Sequence, residues 1–275
     1  MRIGAHLRTP GGLRTAVETA KDVGAEAAQL FISNPRAWSG PRLETAETFG
    51  AAWREGGVGP LFVHAPYLVN IASPNAEFLR KSIDLCRASV HACGVIGAAG
   101  FVVHAGAGGP AERHEALDRA ATVLQATLLE TPATTRLLVE LMANTAGAVA
   151  SWLSEAKELF DHVEDERLGL VLDTCHLFAT GYALDEPSGV EALFGELRET
   201  GLDRRLALIH LNDAKNERGS KRDRHEVVGE GLIGEVGFRA LLTRPEVEPL
   251  SVLVETPASG ETRRAELERI RAFAS

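Results

Sequence analysis

The segment LGLVLDTCHLFATGY, Leu168–Tyr182, reads as a buried strand that stops on chemistry. Leu168 to Leu172 lacks the polar alternation of a strand with one wet face, so both of its faces are covered. The next residue is Asp173, and His176 follows three positions later. The pattern recurs along the chain. Seven further short apolar runs are Ile3 to Ala5, Ala28 to Ile32, Leu61 to Val63, Phe101 to Val103, Leu137 to Val139, Leu206 to Ile209 and Ser251 to Val254. Helical patterns lie between them. Gly12 to Val23 carries Leu13, Val17, Ala20 and Val23 in one stripe. Asn75 to Val95 follows Ser73 and Pro74, residue types that open helices. Glu44 to Arg54, Glu112 to Leu129, Ala148 to Val163, Val190 to Glu199, Glu235 to Leu242 and Glu261 to Phe273 have the same form. Eight strands alternating with helices over about 250 residues predict an α/β fold, a single (β/α)8 TIM barrel. No Pro/Gly/Ser-rich linker divides the chain, so residues 1–275 are expected to form one domain. A doubly wound open sheet is the rival, but no GxGxxG follows the first strand.

The residues that end the eight runs are His6, Asn34 (two positions on), His64, His104, Glu140, Asp173, His210 and Glu255. Seven of the eight are His, Asp or Glu, the side chains that hold zinc or manganese. In a barrel these positions share the C-terminal rim, where catalysis is found. Any one of them alone would read as a helix cap or a rim hydrogen bond. Together with His176, Asp223 and His225 just beyond the strand ends, they predict a metal site. His6 is expected behind the ligands as a hydrogen-bond partner. His91, His114 and His162 sit in helical patterns with no partner in view, and Cys175 reads as a small buried hydrophobe.

The other bulk features narrow the class. A net charge of −9 argues against a general nucleic-acid coat protein but leaves room for a local basic face. Such a face has a candidate in LIHLNDAKNERGSKRDRHEVVGEG, Leu208–Gly231, where Lys215, Arg218, Lys221, Arg222 and Arg224 surround Asp223 and His225. Three cysteines without a CxxC pair cannot make a disulfide framework, and no apolar run is long enough to span a bilayer. A reduced, cytoplasmic, non-membrane protein is expected. A monomer is the working expectation.

These residues resemble the endonuclease IV family of apurinic/apyrimidinic endonucleases. The resemblance runs from IGAHLRTPGGL through HAPYLVN, FVVHAGA, NTAG, LDTCHLFATGY and HLNDAKNERGSKRDRHEVVGEGLIG to LVETP, nearly the whole chain. It implies a TIM barrel with three clustered zinc ions, manganese being a substitute. Its partner would be double-stranded DNA carrying abasic or 3′-blocked lesions. The implied reaction is hydrolysis of the phosphodiester 5′ to an abasic site, leaving a 3′-hydroxyl and a 5′-deoxyribose phosphate. Carried onto this chain, His64, His104 and Glu140 would hold the first ion. Glu140, Asp173, His210 and Glu255 would hold the second, with Glu140 bridging as the catalytic carboxylate, and His176, Asp223 and His225 the third. Arg36, Tyr67 and Leu68 match the side chains that the family inserts into DNA, and the five basic residues of the 208–231 segment would contact phosphates. Two features depart from the family. Leu141, Met142 and Ala143 separate Glu140 from Asn-Thr-Ala-Gly, and Ala37 stands where a Gln is usual after the inserted Arg. The residues alone also fit a metal-dependent sugar isomerase or epimerase on the same barrel, for which Glu140, Asp173, His210 and Glu255 would suffice. A damage-binding protein without catalysis is a third reading, resting on the altered loop after Glu140.

Overall fold

Side chains on one strand point alternately to opposite faces, so every strand of a barrel feeds two different cores. The computed structural model describes residues 1–9, 11–109 and 113–275. Its barrel strands are β1 (Arg2–His6), β2 (Ala27–Leu30), β3 (Leu61–His64), β4 (Gly100–His104), β5 (Arg136–Glu140), β6 (Leu168–Asp173), β7 (Leu206–His210) and β10 (Ser251–Val254). They close in the order β1-β10-β7-β6-β5-β4-β3-β2, and every neighbouring pair is parallel. A short antiparallel ribbon, β8 (Asp213–Ala214) with β9 (His225–Glu226), stands in the loop after β7. The helices are α1 (Ala16–Val23), α2 (Leu43–Gly56), α3 (Ala76–Ile96), α4 (Arg113–Leu128), α5 (Leu153–His162), α6 (Thr174–Thr180), α7 (Pro187–Thr200), α8 (Gly234–Leu242) and α9 (Gly260–Phe273). Among the described residues no helix is long and apolar enough to cross a membrane.

One set of strand residues, such as Ile3, Val63, Phe101, Val139, Leu170, Ile209 and Val254, packs outward against the helices. The alternate set packs inward as a separate small core: Ala27, Phe62, Val102, Leu138, Val171, Leu208 and Leu253. The eighth strand places Gly4 at this level, where a Cβ would lie 1.7 Å from the Ala27 carbonyl oxygen. Two residues further along each chain the same inward face presents His6, Gln29, His64, His104, Glu140, Asp173, His210 and Glu255. An apolar inner layer therefore floors a polar ring at the C-terminal mouth. Register sets neighbours side by side, His104 with Glu140 and Asp173 with His210.

Several boundaries differ from the sequence expectation. The second strand is Ala27–Leu30 rather than Ala28 to Ile32, because its pairing with β3 ends at Leu30 and Val63. Phe31 instead packs at the mouth, 4.6 Å from His6 and 5.0 Å from Tyr67 by ring centroids. The rim residue of that strand is thus Gln29, and Asn34 lies in the following loop, where its Oδ1 accepts from Arg36 N at 3.0 Å. The pattern from Gly12 opens with a 3-10 turn, Leu13–Thr15, before α1. The pattern read from Ala148 starts later, at Leu153, because Glu155 Oε2 accepts from Ser151 N at 2.8 Å and Trp152 N at 3.1 Å and so fixes the helix start. Glu112, read as the start of the fourth long helix, lies outside the described residues. The short helix α6 and the β8–β9 ribbon are additions.

Gly4 gives a direct test of this inner packing. Gly4→Ala is expected to destabilise the protein by about 1–3 kcal/mol or more, since the intruding atom meets backbone and not a movable side chain. Urea unfolding of the two proteins measures it, and equal midpoints would contradict the packing.

Candidate metal centre

The nine candidate ligands read from the sequence converge on the C-terminal mouth. In the groups His64–His104–Glu140, Glu140–Asp173–His210–Glu255 and His176–Asp223–His225, the ligand atoms of each group lie within 4.8 Å of one another. Barrel strands supply six of the nine directly, five at strand ends and Glu255 one residue past β10. His176 reaches the mouth because Asp173 caps α6, accepting from His176 N at 2.9 Å, which turns the chain immediately after the strand. Asp223 and His225 arrive on the arm of the β8–β9 ribbon. That ribbon is held from behind by buried Asp213, whose carboxylate accepts from the backbone N–H groups of Ala214, Gly229, Gly231 and Ile233 at 2.8–3.0 Å.

Glu140 is the hub. It is fully buried on β5, and its two oxygens face different partners. Oε2 lies 3.1 Å from His64 Nε2 and 3.4 Å from His104 Nε2. Oε1 lies 3.1 Å from His210 Nδ1 and 3.4 Å from His176 Nδ1. The third group is closed by Asp223, with Oδ2 3.2 Å from His176 Nε2 and Oδ1 3.1 Å from His225 Nε2. Asp173 Oδ2 lies 3.5 Å from His225 Nε2, so it links the second and third groups.

Hydrogen bonds on the far sides of the rings show what the near sides need. His64 Nδ1 donates to the Ala65 carbonyl at 2.7 Å, and His176 Nδ1 to the Leu141 carbonyl at 2.8 Å. His210 Nε2 donates to Gln29 Oε1 at 3.1 Å. In the neutral ring each bond leaves a lone pair on the other nitrogen, aimed at a carboxylate oxygen. Two electron-rich atoms facing each other require a cation between them, either a proton or a metal ion. Glu140 Oε1, His210 Nδ1 and His225 Nε2 are buried with no aligned hydrogen-bond partner, although ion-pair distances separate them from their neighbours. Imidazole and carboxylate in this mixture fit Zn²⁺ better than Mg²⁺, which prefers oxygen and water.

The charges agree. Burial alone would lower His210, but the Glu255 and Glu140 carboxylates outweigh it and push the ring up to about 9. Burial likewise opposes the charging of His225, yet Asp173 and Asp223 push it up to about 9. Burial would raise Glu140, but His210 and His104 hold it well below the usual carboxylate range. His6 goes the other way: burial lowers it despite Glu255. It stands behind the candidate ligands, with Nδ1 2.9 Å from Glu255 Oε1. Cys175 is buried, and burial pushes its thiol up, although the sulfur lies near Asp173 and His225.

Two amides escaped the strand-end reading. Asn212 Nδ2 donates to Asp173 Oδ2 at 2.6 Å, and its Oδ1 accepts from Glu255 N at 2.7 Å. Gln29 Nε2 donates to Glu255 Oε1 at 2.6 Å. The signal for Gln29 was available, a single polar residue in an otherwise apolar strand. For Asn212, in an ordinary polar loop, no such signal existed.

The mouth opens into a cavity of about 1550 Å³. Arg36, Tyr67, Lys215 and Arg224 line it. Tyr67 is 63 % and Leu68 36 % exposed, so neither is a core residue. The loops carrying Arg36 and Tyr67 are joined by Tyr67 N donating to Pro35 O at 3.0 Å. The other basic residues are dispersed. Arg218 pairs with Asp185 and Glu186 at 3.2 and 3.1 Å. Lys221, at φ 58°, borders a separate recess with Asn144 and Thr145. Arg222 is exposed beside it in sequence.

A closed parallel barrel with a metal-capable mouth defines the class, and the comparisons agree. Residues 17–273 match the family model described as xylose isomerase-like TIM barrel. The chain is 38 % identical over 277 residues to a probable endonuclease 4 of Streptomyces avermitilis, covering 98 % of this chain and 89 % of that protein. Endonuclease IV from Thermus thermophilus superposes with a TM-score of 0.84 at 30 % identity, covering 99 % of this chain and 98 % of that one. A 3-keto-D-glucoside 4-epimerase from E. coli shares the fold alone, with a TM-score of 0.74 at 16 % identity and 99 % of each chain covered. This chain belongs to the endonuclease IV family and is a nuclease.

The raised histidines predict how the centre loads. Below about 9, His210 and His225 carry protons that a metal ion must displace. Zn²⁺ uptake by the metal-free protein at pH 7 should therefore release protons and tighten as pH rises toward 9. Calorimetry in buffers of different ionisation enthalpy reads the release. A buffer-independent heat would contradict the assignment.

Proposed function

We propose that this protein repairs DNA by hydrolysing the phosphodiester 5′ to abasic sites in duplex DNA, leaving a 3′-hydroxyl and a 5′-deoxyribose phosphate. In this reading three Zn²⁺ ions, replaceable by Mn²⁺, occupy the three groups at the barrel mouth, and the enzyme acts as a cytoplasmic monomer. The observation that carries it is Glu140, a fully buried carboxylate with each oxygen turned toward a different set of imidazoles. What zinc supplies there when bound is Lewis acidity toward a phosphate and a nucleophile at neutral pH.

The chain's own residues set the geometry. Glu140 ties the first group to the second, and Asp173 the second to the third, so a single phosphate can meet all three. His176, Asp223 and His225 form the side nearest the basic ribbon, suited to the departing 3′-oxygen. Lys215 and Arg224 at the cavity wall would hold flanking phosphates without reading sequence. Arg36, Tyr67 and Leu68 stand exposed on two linked loops beside the cavity, placed to enter the base stack where a nucleotide swings out. A nucleotide without its base costs less to unstack, which would provide lesion selectivity. Lesions that block a 3′ end belong to the same substrate class. Arg218, Lys221 and Arg222 would contact phosphates further along the duplex, Arg218 only by leaving Asp185 and Glu186.

A sugar epimerase on this barrel needs only the Glu140–Asp173–His210–Glu255 group. It leaves His64, His104, His176, Asp223 and His225 without work, although they cost desolvation and unsatisfied buried nitrogen to assemble.

Incubation with an oligonucleotide duplex holding one abasic site is expected to give incision that a strong chelator abolishes. Metal analysis should return about three zinc ions per chain, since each of the three groups gathers the ligand atoms for one ion. One or two manganese or magnesium ions would favour the epimerase. Glu140→Gln should lower incision by at least about 10²–10³-fold, as for loss of a group that organises transition-state charge. Lesion binding should remain measurable in that variant. If wild type and variant both bind and neither cuts, the protein is a damage-binding module. Binding should also weaken with salt, with a log–log slope of about −0.9 per phosphate contacted.

A further inference from the structure

Gln29 occupies the place that β2 contributes to the mouth ring, yet it belongs to none of the three ligand groups. It is completely buried, the one uncharged amide among the eight ring residues. Its carbonyl oxygen accepts from His210 Nε2 at 3.1 Å, and its nitrogen lies 2.6 Å from Glu255 Oε1 and 3.0 Å from His6 Nδ1. One side chain therefore touches two members of the four-residue group and the histidine behind them.

We propose that Gln29 is the positioning residue of the Glu140–Asp173–His210–Glu255 group, fixing which nitrogen of His210 and which oxygen of Glu255 face the cation. This rests on the metal-centre reading above. An amide oxygen only accepts, so it holds the proton of His210 on Nε2 and leaves Nδ1 for the group. An amide nitrogen only donates, so Glu255 Oε1 is engaged and Oε2, 3.5 Å from His210 Nδ1, is the oxygen left free. The reverse orientation of the amide would set its oxygen against the Glu255 carboxylate and its N–H against the His210 N–H, so the two contacts reinforce one orientation. His6 supports the arrangement from behind, with Nδ1 2.9 Å from the same Glu255 oxygen and its ring against Phe31 at 4.6 Å. The backbone is fixed as well: Leu7 N donates to Gln29 O at 2.7 Å between neighbouring strands. Asn212 plays the matching part on the other side, bonding Asp173 through its nitrogen and the Glu255 backbone through its oxygen. Gln29 and Asn212 thus hold Glu255 by side chain and by main chain. Gln29 and His210 are both fully buried, so loss of the amide removes the acceptor that the His210 Nε2–H has in this structure.

Gln29→Met keeps volume and flexibility and removes the amide. Four quantities are measured on purified wild type and variant: zinc content, Zn²⁺ affinity by chelator competition, and kcat and KM on a duplex with one abasic site. The expected result is a roughly 10–100-fold loss of affinity at one of the zinc sites, the range for loss of a group that orients a ligand. A fall in kcat of similar size should accompany it, with KM changed by no more than about twofold, since the duplex contacts lie elsewhere. A side chain that merely packs would be replaced by methionine without moving either number, and that result overturns the proposal. Gln29→Asn provides a second variant should the methionine protein not fold. It retains an amide one methylene too short to reach both partners, and the same losses are expected. A wild-type chain that binds no metal would instead overturn the metal-centre reading itself, and the role of Gln29 with it.

Discussion

A carboxylate sealed from water stays ionised only beside positive charge, and Glu140 is such a group. It is fully buried at the end of β5, and imidazoles of four other segments surround it. His64 and His210 have their distant nitrogen committed to a carbonyl or amide oxygen, so in the neutral state they turn a lone pair toward Glu140, while His176, bonded to the Leu141 carbonyl through Nδ1, turns its lone pair toward Asp223. Carboxylates and lone pairs facing one another would fly apart without cations among them. In the metal-free chain protons serve, which is why His210 and His225 are pushed up to about 9. Divalent ions do the same with more charge per site, and the neighbouring fold can be understood as the rigid frame that keeps these repelling groups together.

Rigidity comes from the inner apolar layer. Phe62, Val102, Leu138, Val171, Leu208 and Leu253 sit two residues before His64, His104, Glu140, Asp173, His210 and Glu255. A side chain two residues on must face the same way, so packing of the layer aims the ring above it. Gly4 belongs to the same device, admitting the close approach of β2 that brings Gln29 under Glu255. Fold and site are in this sense one construction.

Much of it was legible in the sequence, because strands covered on both faces announce themselves as apolar runs and the first polar residue after each run marks the rim. That logic places His64, His104, Glu140, Asp173, His210 and Glu255 on the mouth from residue order alone. It misses Gln29 because AAQLFI remains apolar beyond the strand, so the end of the run and the end of β2 do not coincide. Only register distinguishes them, and register is a property of pairs of strands. For the same reason Asn34 was assigned to the rim and lies in a loop. The basic segment shows another limit. Five cations close in sequence suggest one phosphate grip, but ribbon formation separates them, with Lys215 and Arg224 at the cavity, Arg218 on an acidic pair and Lys221 toward a different recess. Exposed pairs such as Arg218 with Asp185 and Glu186 are worth at most about 1 kcal/mol, so a DNA phosphate could compete for the guanidinium.

The two departures from the family pattern have different weights. The residues Leu141 to Ala143 follow Glu140 directly, and the Leu141 carbonyl is the acceptor that orients His176. The altered loop therefore supports the site instead of undermining it. Ala37 offers no such compensation, since its methyl group cannot make the polar contacts of a Gln. In this chain the strands and their ends provide His64, His104, Glu140, Asp173, His210 and Glu255, whereas His176 comes from α6 and Asp223 and His225 from the arm of the ribbon, elements added outside the barrel. The third group is therefore carried by segments that can be rebuilt without disturbing the apolar layer beneath.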